Sequence, residues 1–173
     1  MLMQWVAVCV AAITLLGGPY WGHSSRQERA QRWSRIIVEE SFRPGQPQLN
    51  PLIIVCVVFV ESSFRQDARG QRGEIGLFQV MPRGHAAGGR SERELEDPAE
   101  NIRAGFEDLR RGLAECGQGT AGALAWHNLG RCVANPAEVA FVRRVRSLYQ
   151  RVSHLRADAT GLPVDEPDEP PDG

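Results

Sequence analysis

The feature that most constrains this chain is the run Pro51-Leu52-Ile53-Ile54-Val55-Cys56-Val57-Val58-Phe59-Val60, which has no charged or hydrogen-bonding polar side chain and ends on Glu61. A segment apolar on every side has no solvent face, so the rest of the fold must surround it. Ile53, Ile54, Val55, Val57, Val58 and Val60 are β-branched and suit a buried strand as well as a buried helix, and periodicity alone does not separate the two. Asn50 followed by Pro51 favours the helix, because Asn caps free backbone N–H groups and Pro is preset for the first helical position. Burial favours the protonated form of a carboxyl group, which is what a general acid near neutral pH needs. Glu61 is placed for that role; the plainer alternative is a solvated helix-end residue.

At 173 residues the chain has room for one domain with appendages. Residues 2–21, Leu2 to Trp21, are apolar apart from Gln4 and Thr14, about the length a helix needs to cross a bilayer. Residues 1–22 are therefore read as a membrane span or uncleaved signal, since neither a basic n-region nor a small-residue cleavage site after the run is evident. On that reading Cys9 is a membrane-embedded thiol. Arg26, Arg29, Arg32 and Arg35 follow the span, and the positive-inside rule applied to them would keep the body cytoplasmic. The same arginines recur at helical spacing over residues 25–42, opposite an apolar face of Trp33, Ile36 and Ile37.

Later helix signals are cleaner. Asp97, Pro98 and Glu100 form a capping-box pattern opening a helix to about Glu115, and Asn135 with Pro136 opens another to about Leu155. Thr120 to Asn128 reads as a short helix between them. The body, residues 23–156, is thus mainly α. Residues 157–173 hold six acids (Asp158, Asp165, Glu166, Asp168, Glu169, Asp172) and no base, with too little apolar content to order themselves, and read as a disordered tail. Setting those six acids aside turns the net charge of −1 into +5 for the remainder, whose basic side chains are all Arg. A basic body suits an anionic polymer, cell wall or nucleic acid, and equally an ordinary solvated surface. No aromatic or zinc-based nucleic-acid motif accompanies the charge, which argues against a nucleic-acid-binding protein.

The chemistry lies in Glu61-Ser62-Ser63-Phe64, followed by Gly73-Glu74-Ile75-Gly76-Leu77-Phe78-Gln79-Val80-Met81-Pro82. Further blocks are Asp97-Pro98, Asn101-Ile102, Gly105 and Leu109, then Trp126-His127-Asn128-Leu129-Gly130. In order and spacing these resemble the soluble lytic transglycosylase family over roughly residues 30–150. The family shows Glu-Ser, Gly-x-x-Gly-Leu-Met-Gln with Met-Pro after it, and Ala-Tyr-Asn-x-Gly. Phe78 stands for the usual Met, His127 for the Tyr, and Gly70 for a Ser that contacts substrate in many members.

The resemblance implies a lysozyme-like, transglycosylase-type single domain, preceded here by the N-terminal helix. It implies peptidoglycan glycan strands as substrate and no cofactor. Glu61 would protonate the β-1,4 oxygen between N-acetylmuramic acid and N-acetylglucosamine, then deprotonate the sugar's own 6-hydroxyl to leave a 1,6-anhydro product. Ser62 would orient Glu61, Gln79 would line the cleft wall, and Phe78 with Met81 would offer apolar surface to sugar faces. Asn128 and His127 would contact substrate. Such a domain would sit in the periplasm or cell envelope, anchored through residues 2–21, and could serve an envelope-spanning secretion, conjugation or phage machine. Two alternatives keep the fold: a muramidase using water, with Asp67 or Glu74 as second carboxylate, and a glycan-binding component without turnover.

His85 and His154 have no second ligand at useful spacing and read as surface histidines, and no zinc pattern appears. Cys116 and Cys132 lie sixteen apart around the third motif and are a disulfide candidate for an exported body. Cys56, inside the apolar run, reads as a buried thiol.

Overall fold

The computed structural model describes residues 1–22 and 24–156; the acidic segment 157–173 lies outside the described residues. Among the described residues seven α-helices carry the architecture: α1 Leu2–Gly17, α2 Ser24–Ser41, α3 Pro51–Ser62, α4 Glu92–Leu95, α5 Pro98–Cys116, α6 Gly119–Leu129 and α7 Ala140–Val152. The apolar run is α3, packed against α1, α2 and α7, with Leu52, Ile54, Val55, Cys56, Val57 and Val58 all buried. Its β-branched residues do not make it a strand, because the start is secured locally. Asn50 Oδ1 accepts from the Leu52 N–H at 3.0 Å, and Asn50 Nδ2 donates to the Tyr149 hydroxyl at 3.1 Å, tying the cap to α7.

The apolar N-terminal run does not form one helix. It breaks at Gly18, φ 72°, and Pro19, leaving α1 with 16 residues, about 24 Å at ~1.5 Å per residue against the ~30 Å of a hydrocarbon core. Among the described residues no helix is long and apolar enough to cross a membrane. Instead α1 turns Trp5, Val8, Cys9, Ala12, Ile13 and Leu16 into the core, and Trp21 folds back to meet Trp33 and Phe64, with ring centroids 5.5 and 5.4 Å away. Cys9 is thus buried in protein rather than lipid, and burial, with Cys56 adding to it, pushes its thiol far up. Burial likewise pushes Cys56 up, to about 12.

One other boundary and one cap differ from the sequence reading. Asn135 makes no side-chain cap, and Pro136–Glu138 is a single 3-10 turn. Extended Val139 follows, so α7 begins at Ala140. At the start of α5, Asp97 Oδ1 accepts from the Ala99 and Glu100 N–H groups at 2.9 and 3.0 Å. The Glu100 carboxylate instead pairs with Arg90 and Arg103. The reciprocal capping box belongs to Ser91 and Glu94 on α4.

Between α3 and α4 the chain forms a short pleated loop through residues 68–80, with antiparallel bridges Arg69 to Ile75 and Ile75 to Val80. Asn101, wholly buried on α5, fastens this loop. Its Oδ1 accepts from the Phe78 N–H at 2.8 Å, and its Nδ2 donates to the Ile75 and Leu95 carbonyls at 2.8 and 3.0 Å. Gly76 has φ 76°, and a Cβ there would lie 2.6 Å from Asn101 Nδ2. Gly105 similarly leaves room for the Phe78 ring, since its Cβ would come within 2.1 Å of Phe78 Cδ1. The Gly-x-x-Gly motif, Phe78, Asn101 and Gly105 thus form one packing unit that presents Gln79 and Met81.

Candidate active site

Glu61 stands on the last turn of α3, just before Ser63 and Phe64, whose φ values of 52° and 62° turn the chain sharply away. Its side chain is 18% exposed, at the wall of a cleft of about 440 Å³. Glu74, Gln79, Met81, His127 and Asn128 line the same cleft. Helix α3 supplies Glu61, the pleated loop supplies Glu74, Gln79 and Met81, and the end of α6 supplies His127 and Asn128. Gln79 holds φ 48°, and its Nε2 donates to the Gly76 carbonyl at 2.8 Å and the Ala68 carbonyl at 3.3 Å. Those bonds fix its position in the cleft wall.

Three sequence assignments change. Ser62 is buried and its hydroxyl donates to the Val58 carbonyl at 3.0 Å, back-bonding within its own helix rather than orienting Glu61. Phe78 is 0% exposed and supports the cleft from beneath instead of facing a sugar. His127, expected to contact substrate, is 5% exposed on its side chain and lies between two carboxylates: Nε2 is 3.4 Å from Glu61 Oε1, and Nδ1 is 2.8 Å from Asp108 Oδ2. Phe78 and Phe141 flank the imidazole at centroid distances of 5.9 and 6.0 Å.

Asp108 was not singled out in the sequence. It is fully buried on α5, accepts from Trp126 Nε1 at 3.2 Å, and is 3.1 Å from His85 Nε2. His85 is therefore no isolated surface histidine, and its ring meets Trp126 edge-on at 5.4 Å. A detectable signal existed. Ile102, Gly105, Asp108, Leu109 and Gly112 recur at helical spacing on the buried face of α5, and a carboxylate in such a stripe requires partners. Burial by itself would raise the pKa of Asp108, but hydrogen bonding from His127, the charges of His127 and His85, and the Trp126 bond hold it below the usual value. For His127 burial pulls the pKa down, yet the carboxylates of Asp108 and Glu61 outweigh it and raise the imidazole to about 9. The imidazole of His127 thus stands in line between the carboxylates of Glu61 and Asp108.

Of the two candidate second carboxylates, Glu74 lines the cleft and Asp67 does not. Desolvation tends to raise the Glu74 pKa, but its backbone and Arg72 bonds lower it overall. The Arg72 N–H and Nε donate to its carboxylate at 3.0 and 2.8 Å. A Cβ on Gly70 would lie 2.2 Å from Glu74 Oε2, so the missing side chain at 70 makes room for that carboxylate. Cys116 and Cys132 form a disulfide that joins the end of α5 to the segment after α6, bracketing the helix that bears His127. Among the described residues no group of three His, Cys, Asp or Glu side chains is arranged to hold a metal ion.

Residues 42–143 match the family model described as the Transglycosylase SLT domain. Among solved structures, the chain is similar to the 70 kDa soluble lytic transglycosylase SLT70 from Escherichia coli at 18% sequence identity and a TM-score of 0.46. That alignment covers 89% of this chain and 25% of the other, so this chain spans about a quarter of that protein's length.

Proposed function

We propose, for a chain that belongs to the transglycosylase SLT domain family, that it cleaves the β-1,4 bond between N-acetylmuramic acid and N-acetylglucosamine in peptidoglycan, with Glu61 as acid and then base. One observation carries the reading: Glu61 is a partly covered carboxylate at the end of a buried helix, opening into a cleft that Gln79 and Met81 also line. Protonation of the bridging oxygen by Glu61 breaks the C1–O bond. The resulting carboxylate takes the proton of the 6-hydroxyl as that oxygen closes on C1, giving a 1,6-anhydro end. The nucleophile belongs to the substrate, so its proximity replaces much of the entropic cost of recruiting a second reactant, and one carboxylate suffices.

Glu74 supports a second reading. It is an ionised carboxylate in the cleft and could activate water, making the enzyme a muramidase. Products formed in isotopically heavy water distinguish the two: transglycosylation leaves the new end unlabelled and lighter by one water, whereas hydrolysis labels it. Glu61→Gln should lose at least ~100-fold in cleavage with its fold retained; near-normal turnover would remove the assignment. The Cys116–Cys132 bridge supports work in an oxidising compartment such as the periplasm or cell envelope. There the enzyme would open the wall locally, as a secretion, conjugation or phage machine requires.

A further inference from the structure

Behind Glu61 lies a chain of ionisable groups that single-carboxylate cleavage does not use. The chemistry above needs one proton on one oxygen. A buried imidazole and a second buried carboxylate aligned behind that oxygen add desolvation cost with no place in the scheme. Their alignment is nevertheless specific, because four separate elements bring the groups together. Helix α5 contributes Asp108, α6 contributes His127 and Trp126, α3 contributes Glu61, and the 85–87 turn contributes His85. The His85 carbonyl is in turn held by Arg111 Nη1 at 2.9 Å. The groups facing Asp108 are the Trp126 N–H and the His127 and His85 imidazoles, which keeps it an acceptor. The titratable groups facing His127 are Glu61 and Asp108, while the Phe78 and Phe141 rings flank it.

We infer that Asp108 and His127 are positioning residues for Glu61: the buried aspartate holds His127 by its Nδ1–H so that Nε2 faces Glu61, and the imidazole stores the proton that Glu61 delivers. The inference rests on Glu61 being the acid. In the resting enzyme the stored proton is on Nε2, opposite the Glu61 carboxylate. As substrate fills the cleft and displaces water, the Nε2–H bond breaks and an O–H bond forms on Glu61, leaving neutral His127 with Nδ1–H still on Asp108. Glu61 then gives that proton to the glycosidic oxygen as the C1–O bond breaks, and recovers one from the 6-hydroxyl as the anhydro C–O bond forms. Return of this proton to Nε2 restores the resting state. No proton is gained or lost over the cycle, and no further reactant is consumed. His127 stands where the family pattern has tyrosine, and in this chain the buried Asp108 lies 2.8 Å from its Nδ1.

The test is the pH profile of kcat on isolated peptidoglycan, measured with the full chain, alongside NMR titration of the His127 imidazole. In the wild type the alkaline limb of kcat should follow the loss of the His127 proton. Asp108→Asn, which keeps the shape but removes the charge, should move both that limb and the imidazole midpoint down by about one pH unit or more. It should also lower kcat by ~10-fold or more with KM little changed. His127→Gln should abolish the limb, and decides the matter if Asp108→Asn does not fold. An unmoved limb and midpoint in folded Asp108→Asn, or a limb that survives in His127→Gln, would overturn the inference. Glu61→Gln separates the two levels. If it still cleaves, the acid assignment itself falls; if it is inactive while the Asp108→Asn limb stays in place, the proton store alone falls.

Discussion

Replacing Asn101 with Ala should be among the most damaging single changes outside the cleft, and the size of the loss follows from its three hydrogen bonds. The Phe78 N–H and the Leu95 carbonyl have Asn101 as their partner, whereas the Ile75 carbonyl also accepts from the Val80 N–H at 2.9 Å. Truncation therefore orphans two buried backbone groups at about 1–3 kcal/mol each and removes a third bond worth about 1 kcal/mol. The total is about 3–7 kcal/mol, much of the roughly 5–15 kcal/mol that holds a typical domain folded. Asn101→Asp should fare no better, since it keeps the acceptor for Phe78 but points a carboxylate oxygen at two carbonyls. Urea unfolding followed by circular dichroism would read the loss as a lower midpoint at constant slope. A destabilisation below about 1 kcal/mol in Asn101→Ala would refute the claim that this side chain secures the loop.

Two further outcomes follow from the bridge and the imidazole. Removing the Cys116–Cys132 disulfide as the double alanine variant should cost about 3 kcal/mol for a sixteen-residue separation; a melting temperature unchanged by both substitution and reduction would contradict this. His127 has a folded pKa of about 9 against 6.5 for the free group, so its contribution is complete below its unfolded pKa and is lost as pH rises through about 9. Between about pH 7 and 8.5 the wild type should lose stability at up to ~1.4 kcal/mol per pH unit while His127→Gln stays flatter, and parallel profiles in urea denaturation would count against a charged His127.

The parts legible in the sequence were those set by local chemistry. Asn50-Pro51 and Asp97-Pro98 carry their caps with them, so α3 and α5 could be placed without knowing what they pack against. Asn135-Pro136 has the same letters, yet Asn135 sits at φ −119° and ψ 75°, outside the cap conformation, and a single turn results. The run Leu2 to Trp21 is not the single helix read from it, for a related reason. Counting apolar residues registers the length of the run but not that Gly18 and Pro19 divide it, nor that α2, α3 and α7 offer α1 a protein core to enter. At the site, Glu61, Gln79 and Met81 line one cleft, a grouping that came from the resemblance of their motif blocks and not from any local rule. Asp108 and His127 meet across nineteen residues, and no local rule pairs an aspartate on one helix with a histidine on the next.

The two departures from the family pattern have the same physical form. At each, a second residue of this chain occupies the neighbouring space or supplies the neighbouring charge. Without a side chain at Gly70, the Glu74 carboxylate folds into the cleft wall, where a Cβ at 70 would overlap it. With an imidazole at 127, the wholly buried Asp108 supplies the counter-charge without which a protonated ring there would be an uncompensated buried cation. On the proton-store inference, the cost of holding that aspartate under Trp126 and His85 is offset where the proton it stabilises is used, and that proton would leave through Glu61, which lines the cleft.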